Sequence, residues 1–289
     1  MIRFSHHRST GESIREYGRG IAGGIMFSLP LLYTMEVWWA GLSLHPGRML
    51  IYAAFTFALL LLYNRFAGLR RDASLVEVAI DSVEEMGIGL VVAAAILWLT
   101  GRISWEMDGL ETLGKVAMEG MTVAIGVSVG TAQLGTASEG DDGISGDEAN
   151  DAYLPQVALA LCGAVLFAAN VAPTEEISVI ALESTPGKLL VISLFSILLG
   201  SLVLQFADFR GSGRFVTKGD FTRTARGIVT TYAVSLLASA ALLWFFGQLD
   251  GEPLFQCLAR IVVLGVPAVL GASAGRLLLQ KDDPQKYSS

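Results

Sequence analysis

The chain has 289 residues, 53% of them apolar and only 16% charged, with a formal net charge of −7 and a mean hydropathy of +0.55. That composition excludes a soluble globular protein and a nucleic-acid-binding module, and it leaves no room for a second, soluble domain. It is the composition of a polytopic membrane protein.

The first eighteen residues are polar and lack the apolar centre and small-residue cleavage site of a signal peptide, so the first membrane helix is expected to act as the uncleaved targeting signal. Windows of roughly 20 apolar residues, enough to cross about 30 Å of hydrocarbon, then recur along the whole length. They predict an all-α protein with eight spans, at 19–40, 49–66, 76–99, 113–134, 155–182, 189–206, 227–246 and 255–278. Cys162 and Cys257 have neither paired nor metal-type spacing and read as packing residues.

The chain repeats itself. Residues 163–210 align without a gap on 23–70, pairing Thr34 with Thr174, Glu36 with Glu176, Pro46 with Pro186 and Gly47 with Gly187. Further on, Trp98 and Gly101 match Trp244 and Gly247, and Lys115, Gly120, Gly126, Ser128 and Gly130 match Arg260, Gly265, Gly271, Ser273 and Gly275. Four helices per unit is an even number, so both units enter the membrane from one side. The expected architecture is two parallel four-helix repeats, 19–135 and 155–279, flanked by an N-terminal segment 1–18 and a tail 280–289.

Basic residues fix the expected orientation. Arg3, Arg8, Arg15, Arg19, Arg65, Arg70, Arg71, Arg210, Arg214, Lys218, Arg223, Arg226, Arg276, Lys281 and Lys286 fall on one side; only Arg48, Arg102, Lys115, Lys188 and Arg260 fall on the other. The positive-inside rule therefore places both termini in the cytoplasm. Trp38, Trp39, Trp98, Trp105 and Trp244 gather near the opposite ends, where an apolar ring with one wet N–H is at home.

The linker 136–154 is acidic and glycine-rich, with no Lys or Arg. It reads either as a solvated connection or as a loop that concentrates cations at a cytoplasmic mouth. Its acids lack the ligand spacing of an EF-hand.

Chemistry is expected from acids inside the spans, because a charged side chain there costs about 3 kcal/mol on insertion scales. In the fifth span, Asn170, Pro173, Thr174, Glu175, Glu176 and Ser178 interrupt an apolar helix, and proline frees a carbonyl one turn back. Carbonyls, hydroxyls and carboxylates together make an oxygen environment suited to hard cations. The first repeat has a thinner version in Pro30, Thr34 and Glu36, so the second repeat is expected to hold the better-furnished site. Glu36 and Glu176 also admit a structural reading, as caps or as partners of Lys115 or Arg260.

Glu77, Asp81 and either Glu84 or Glu85 share one helical face of the third span, and Glu119 lies about two turns into the fourth. No base sits at comparable depth except Lys115, Arg260, Arg223 and Arg226 near the edges, so these acids are expected to hold either protons or a cation. The GxxxG pairs Gly126/Gly130 and Gly271/Gly275 predict close-packing seams where the fourth and eighth helices meet near the pseudo-two-fold axis. His6, His7 and His45 all lie outside the spans, which argues against a membrane metalloprotease or a Ser/His nucleophile, and no cofactor motif appears.

The segments GIAGGIMFSLPLLYTMEVWW (20–39) and NVAPTEEI (170–177) resemble those of an uncharacterised bacterial family of integral membrane proteins, known only as a domain of unknown function. The resemblance covers nearly the whole chain and implies a bacterial inner-membrane location, with no activity attached. Pro173, Glu175 and Glu176 are also similar to the acidic helix-breaking repeats of cation/Ca²⁺ exchangers, although those repeats are inverted and these parallel. The sequence thus points to a cation or proton transporter or channel, not an enzyme, without cofactors and with lipid and an inorganic ion as its partners. Asn170, Thr174, Glu175 and Glu176 form the expected site, Glu36 and Glu119 its outer approach, and Glu84 and Glu85 its inner approach. The alternative is a non-transporting scaffold or sensor whose acidic loop binds a partner, and either form is compatible with a homo-oligomer.

Overall fold

The computed structural model describes residues 10–32, 34–68, 74–133, 153–206 and 221–278, all helices and the turns between them. The helices are α1 (Thr10–Leu32), α2 (Met35–Ser43), α3 (Pro46–Ala67), α4 (Leu75–Leu99), α5 (Gly109–Gln133), α6 (Tyr153–Ala168), α7 (Glu175–Leu182), α8 (Pro186–Phe206), α9 (Phe221–Phe245) and α10 (Leu254–Leu278). No strand occurs among the described residues. The linker 136–154, apart from Tyr153 and Leu154 at the start of α6, and nine of the fifteen basic residues expected on the cytoplasmic side lie outside them.

Local sequence explains the starts. His45 accepts the Gly47 N–H at 3.1 Å and Pro46 occupies the first turn of α3, where its missing donor costs nothing. Ser74 and Glu77 form a reciprocal capping box on α4, with the Ser74 N–H donating to Glu77 Oε2 at 2.8 Å. Glu77 is therefore a cap. Gly101 and Gly247 turn the chain at φ of +70° and +74° after α4 and α9, a conformation that only glycine adopts without strain.

Six helices are long and apolar enough to cross a membrane: α3, α4, α5, α8, α9 and α10. The two further spans expected at 19–40 and 155–182 are not continuous. The first is split by extended Thr34 into α1 and α2, and α1 begins at Thr10, nine residues before the predicted start. The second ends at Ala168, passes through turns closed by bonds such as Thr174 N–H to Val171 O at 3.0 Å, and resumes as α7. Pro173 sits at this break, as the sequence suggested, whereas Pro30 lies inside α1.

Packing is organised around two central helices. α5 contacts α1, α2, α3 and α4, while α10 contacts α6, α7, α8 and α9. Residues 118–130 of α5 are all enclosed. The glycine pairs do not bring α5 and α10 together. Gly130 faces Gly23 of α1, where an added Cβ would lie 2.3 Å from the opposing Cα, and Gly271 and Gly275 face Gly163 of α6. Each seam thus joins the first and last helices of one half, because two glycine faces let those backbones approach within side-chain distance.

The α2–α3, α4–α5 and α9–α10 connections gather at one end of the molecule, here the loop end. There Lys115 donates to the Arg102 carbonyl at 3.2 Å and to Glu111 at 2.7 Å, while Arg260 donates to the Gln248 carbonyl and to Glu252 at 2.8 Å. Lys115 and Arg260 therefore hold their own adjacent loops, not Glu36 or Glu176. The halves meet where α3 packs on α6, and the loop end is clasped by a two-pronged Arg48–Asp250 pair at 2.7 and 2.8 Å. One turn below, Tyr52 stacks on Phe245 with centroids 4.1 Å apart.

Candidate functional site

The expected acids separate into two groups. Glu175 and Glu176 start α7 and are exposed, Glu84 is exposed on α4, and Glu36 in the first turn of α2 is half-buried. Thr174 donates to Val171 O at 2.8 Å and Asn170 to Leu166 O at 2.6 Å, so both turn back onto their own chain. The structure does not gather these four side chains of the second half into one enclosed site. Glu85 and Glu119, by contrast, are 8% and 0% exposed.

Glu85 and Glu119 lie along one seam in the first half, formed by α3, α4 and α5. α3 contributes Tyr52, Thr56 and Asn64, spaced at whole or double turns on the face that meets α5. At one level, Asn64 Nδ2 donates to Glu85 Oε2 at 2.7 Å and to Ser82 Oγ at 3.1 Å, and Ser128 Oγ donates to Asn64 Oδ1 at 2.9 Å. Ser82 in turn donates to the Val78 carbonyl at 2.8 Å. Four side chains from three helices thus form one connected network, which fixes the Asn64 rotamer and aims the Glu85 carboxyl inward.

Glu119 occupies a second level, nine residues along α5 from Ser128, or about 13 Å at the helical rise. Both of its oxygens are buried with no hydrogen-bond partner among the described residues, and so are Trp38 Nε1 and Thr56 Oγ1. Beside it, the Tyr52 and Thr122 hydroxyls share a hydrogen bond of 2.7 Å. On the loop-end side, Arg102 lies over the Trp38 ring at 4.6 Å, so the indole closes the seam beneath an exposed guanidinium. An ionised carboxylate enclosed with only an indole N–H before it is costly.

The second half lacks this seam. In the registers that pair Gly47 with Gly187, Trp98 with Trp244 and Gly126 with Gly271, the residues equivalent to Glu119, Tyr52, Thr122, Asn64, Ser82 and Glu85 are Leu264, Ile192, Pro267, Leu204, Ile228 and Thr231. Hydroxyls that remain there, such as Ser235 and Ser239, donate to carbonyls one turn back in their own helix at 2.7 and 2.8 Å. The enclosed Glu119–Glu85 seam thus belongs to the first half, while the second keeps buried Asn170 Oδ1 and Ser273 Oγ without a hydrogen-bond partner among the described residues. The duplicated Thr and Glu pairs drew attention to the second half, while Asn64, Ser82, Tyr52 and Trp38 carried no motif. The readable signal was the polar spacing along α3 and the mismatch of Thr122 with Pro267.

Six apolar helices of spanning length, with flanks such as Leu190, Val191, Leu194 and Phe195 of α8 facing outward, define a multi-pass integral membrane protein. The profile of the family described as "Putative integral membrane protein (DUF2391)" matches residues 16–279, and the chain belongs to that family. No curated protein and no solved structure matches it.

Proposed function

We propose that the protein is a proton-coupled cation transporter or a channel whose path follows the α3–α4–α5 seam. It would sit in the bacterial inner membrane with both termini cytoplasmic, built as two parallel four-helix repeats. The corresponding packing around α5 and α10, the matched glycine seams and the matched carbonyl contacts of Lys115 and Arg260 support the repeat reading.

The observation that carries the transport reading is Glu119, a fully enclosed carboxyl that faces the Trp38 indole N–H and has no basic partner among the described residues. Acids kept in such places mark ion and proton paths, because packing alone is served better by leucine, which the other half uses. Each buried acid stands alone among hydroxyls, an amide or an indole. One carboxylate per level carries one charge, which suits a proton or a monovalent cation better than a divalent one. Glu36, Glu175 and Glu176 then serve as the rim at the loop end, and Glu84 as the approach to Glu85.

The test is ion and proton flux in proteoliposomes, with Na⁺, K⁺, Ca²⁺ and Mg²⁺ each offered with and without a pH gradient. The proposal expects flux that Glu119→Gln removes while the protein stays folded. Absence of flux from folded protein for every ion favours the scaffold or sensor reading, in which the acids are structural and 136–154 holds a partner. A cysteine at 119 in a cysteine-free background separates the two again: a small water-soluble thiol reagent reaches it along a path and not in a packed core.

A further inference from the structure

We infer that Asn64, Ser82, Glu85 and Ser128 form a binding site for one dehydrated monovalent metal cation, of the Na⁺ or Li⁺ class. This deepens the proposed path and rests on it only in taking Glu85 to line that path. The four side chains come from three helices and converge on a single point enclosed by the bundle, with exposures of 6%, 0%, 8% and 1%. Between them they offer two carboxylate oxygens, one amide oxygen and two hydroxyls. That is an all-oxygen set for a hard ion, with a net charge of −1 that one monovalent cation cancels.

The arrangement of the amide shows where the ion belongs. Asn64 Nδ2 lies 2.7 Å from Glu85 Oε2 and 3.1 Å from Ser82 Oγ, so the positive end of the amide dipole faces the carboxylate. A half-turn about the last side-chain torsion exchanges nitrogen for oxygen, and a cation entering there would then meet Asn64 Oδ1 in place of the N–H donor. Ser128, which now donates to Oδ1 at 2.9 Å, has a hydroxyl whose lone pairs are free to turn to the ion.

Charge also favours a cation here. Asp81 and exposed Glu84 precede Glu85 on α4, making a line of acids that raises the local cation concentration toward the site. The neighbouring base, Arg65, is exposed, while Asn64 beside it is buried. In the second half, Leu204, Ile228 and Thr231 replace three of the four ligands, so one site per chain is expected.

Equilibrium binding tests this without any flux. Purified full-length protein in detergent is titrated with NaCl, LiCl and KCl against choline chloride at constant ionic strength, and its thermal unfolding midpoint is followed. The expected result is a saturable rise with Na⁺ or Li⁺, absent in Glu85→Gln, weakened tenfold or more in Ser128→Ala, and unchanged in Glu176→Gln. Asn64→Asp adds a second carboxylate and should transfer the response to Ca²⁺ or Mg²⁺, which covers the case in which Glu85→Gln does not fold. A midpoint indifferent to all three salts, or a response that survives in Glu85→Gln, overturns the site. Binding without flux leaves the site standing and overturns transport alone.

Discussion

A single carboxyl distinguishes the two halves most sharply. Glu119 and Leu264 occupy equivalent places in the centre of α5 and α10, both fully enclosed, and only one of them is an acid. Replacing a buried ionic group by a well-packed apolar side chain of similar volume is often neutral or stabilising. Glu119→Leu is therefore expected to raise the unfolding midpoint while abolishing flux, measured side by side on the same preparation. Stability that falls on this substitution would mark the acid as a packing element. The acid itself was legible in the sequence, since a carboxylate inside an apolar run stands out. Its neighbours were not: Trp38 reads as an interfacial tryptophan, yet it is 7% exposed, enclosed next to α5 and covered by Arg102. Which ring turns inward is decided by α2, a nine-residue helix that the apolar run concealed.

Among the elements, the broken helices and the glycine seams decide the packing. Gly23 against Gly130 and Gly163 against Gly271 leave no space for a side chain: a Cβ on Gly163 would lie 2.1 Å from the Gly271 carbonyl oxygen. Gly163→Val is expected to part α6 from α10 and prevent accumulation of folded protein, read as loss of a monodisperse peak after extraction. Gly87→Ala on α4, where nothing lies within 4 Å, should leave that peak intact. Sequence spacing predicted these seams but not their partners, because a GxxxG pattern shows that a face is flat and not which helix covers it. Likewise Pro173 announced the second break, whereas in its thinner counterpart Pro30 is accommodated within α1 and the break falls at Thr34. Hydropathy sums over such a break and reports one continuous span.

Across the whole molecule, the halves are tied at the loop end by Arg48 of α3 and Asp250 of the α9–α10 turn, with Tyr52 pressed between Phe245 and Thr122 just below. The Arg48 guanidinium holds the Asp250 carboxyl below its ordinary value of 3.8. A depressed acid contributes its stability fully above the ordinary value and loses it as the pH falls toward the folded one. Both partners are partly open to water, so screening makes that contribution modest. Asp250→Asn should accordingly lower the unfolding midpoint at neutral pH, more at low salt than at high. The difference from wild type should close as the pH drops below 3.8. Matched residues run through both halves of the sequence, from Gly23/Gly163 to Gly130/Gly275. What the repeat hid was its own divergence, because aligned identities emphasise what the halves share, whereas the seam consists of residues they do not. The most direct measurement is proton and cation flux in proteoliposomes carrying Glu119→Gln or Glu176→Gln at equal protein density. A path through the first half predicts that Glu119→Gln is silent while Glu176→Gln retains most of the wild-type flux. Full flux in Glu119→Gln together with silence in Glu176→Gln would contradict it and return the centre to α7.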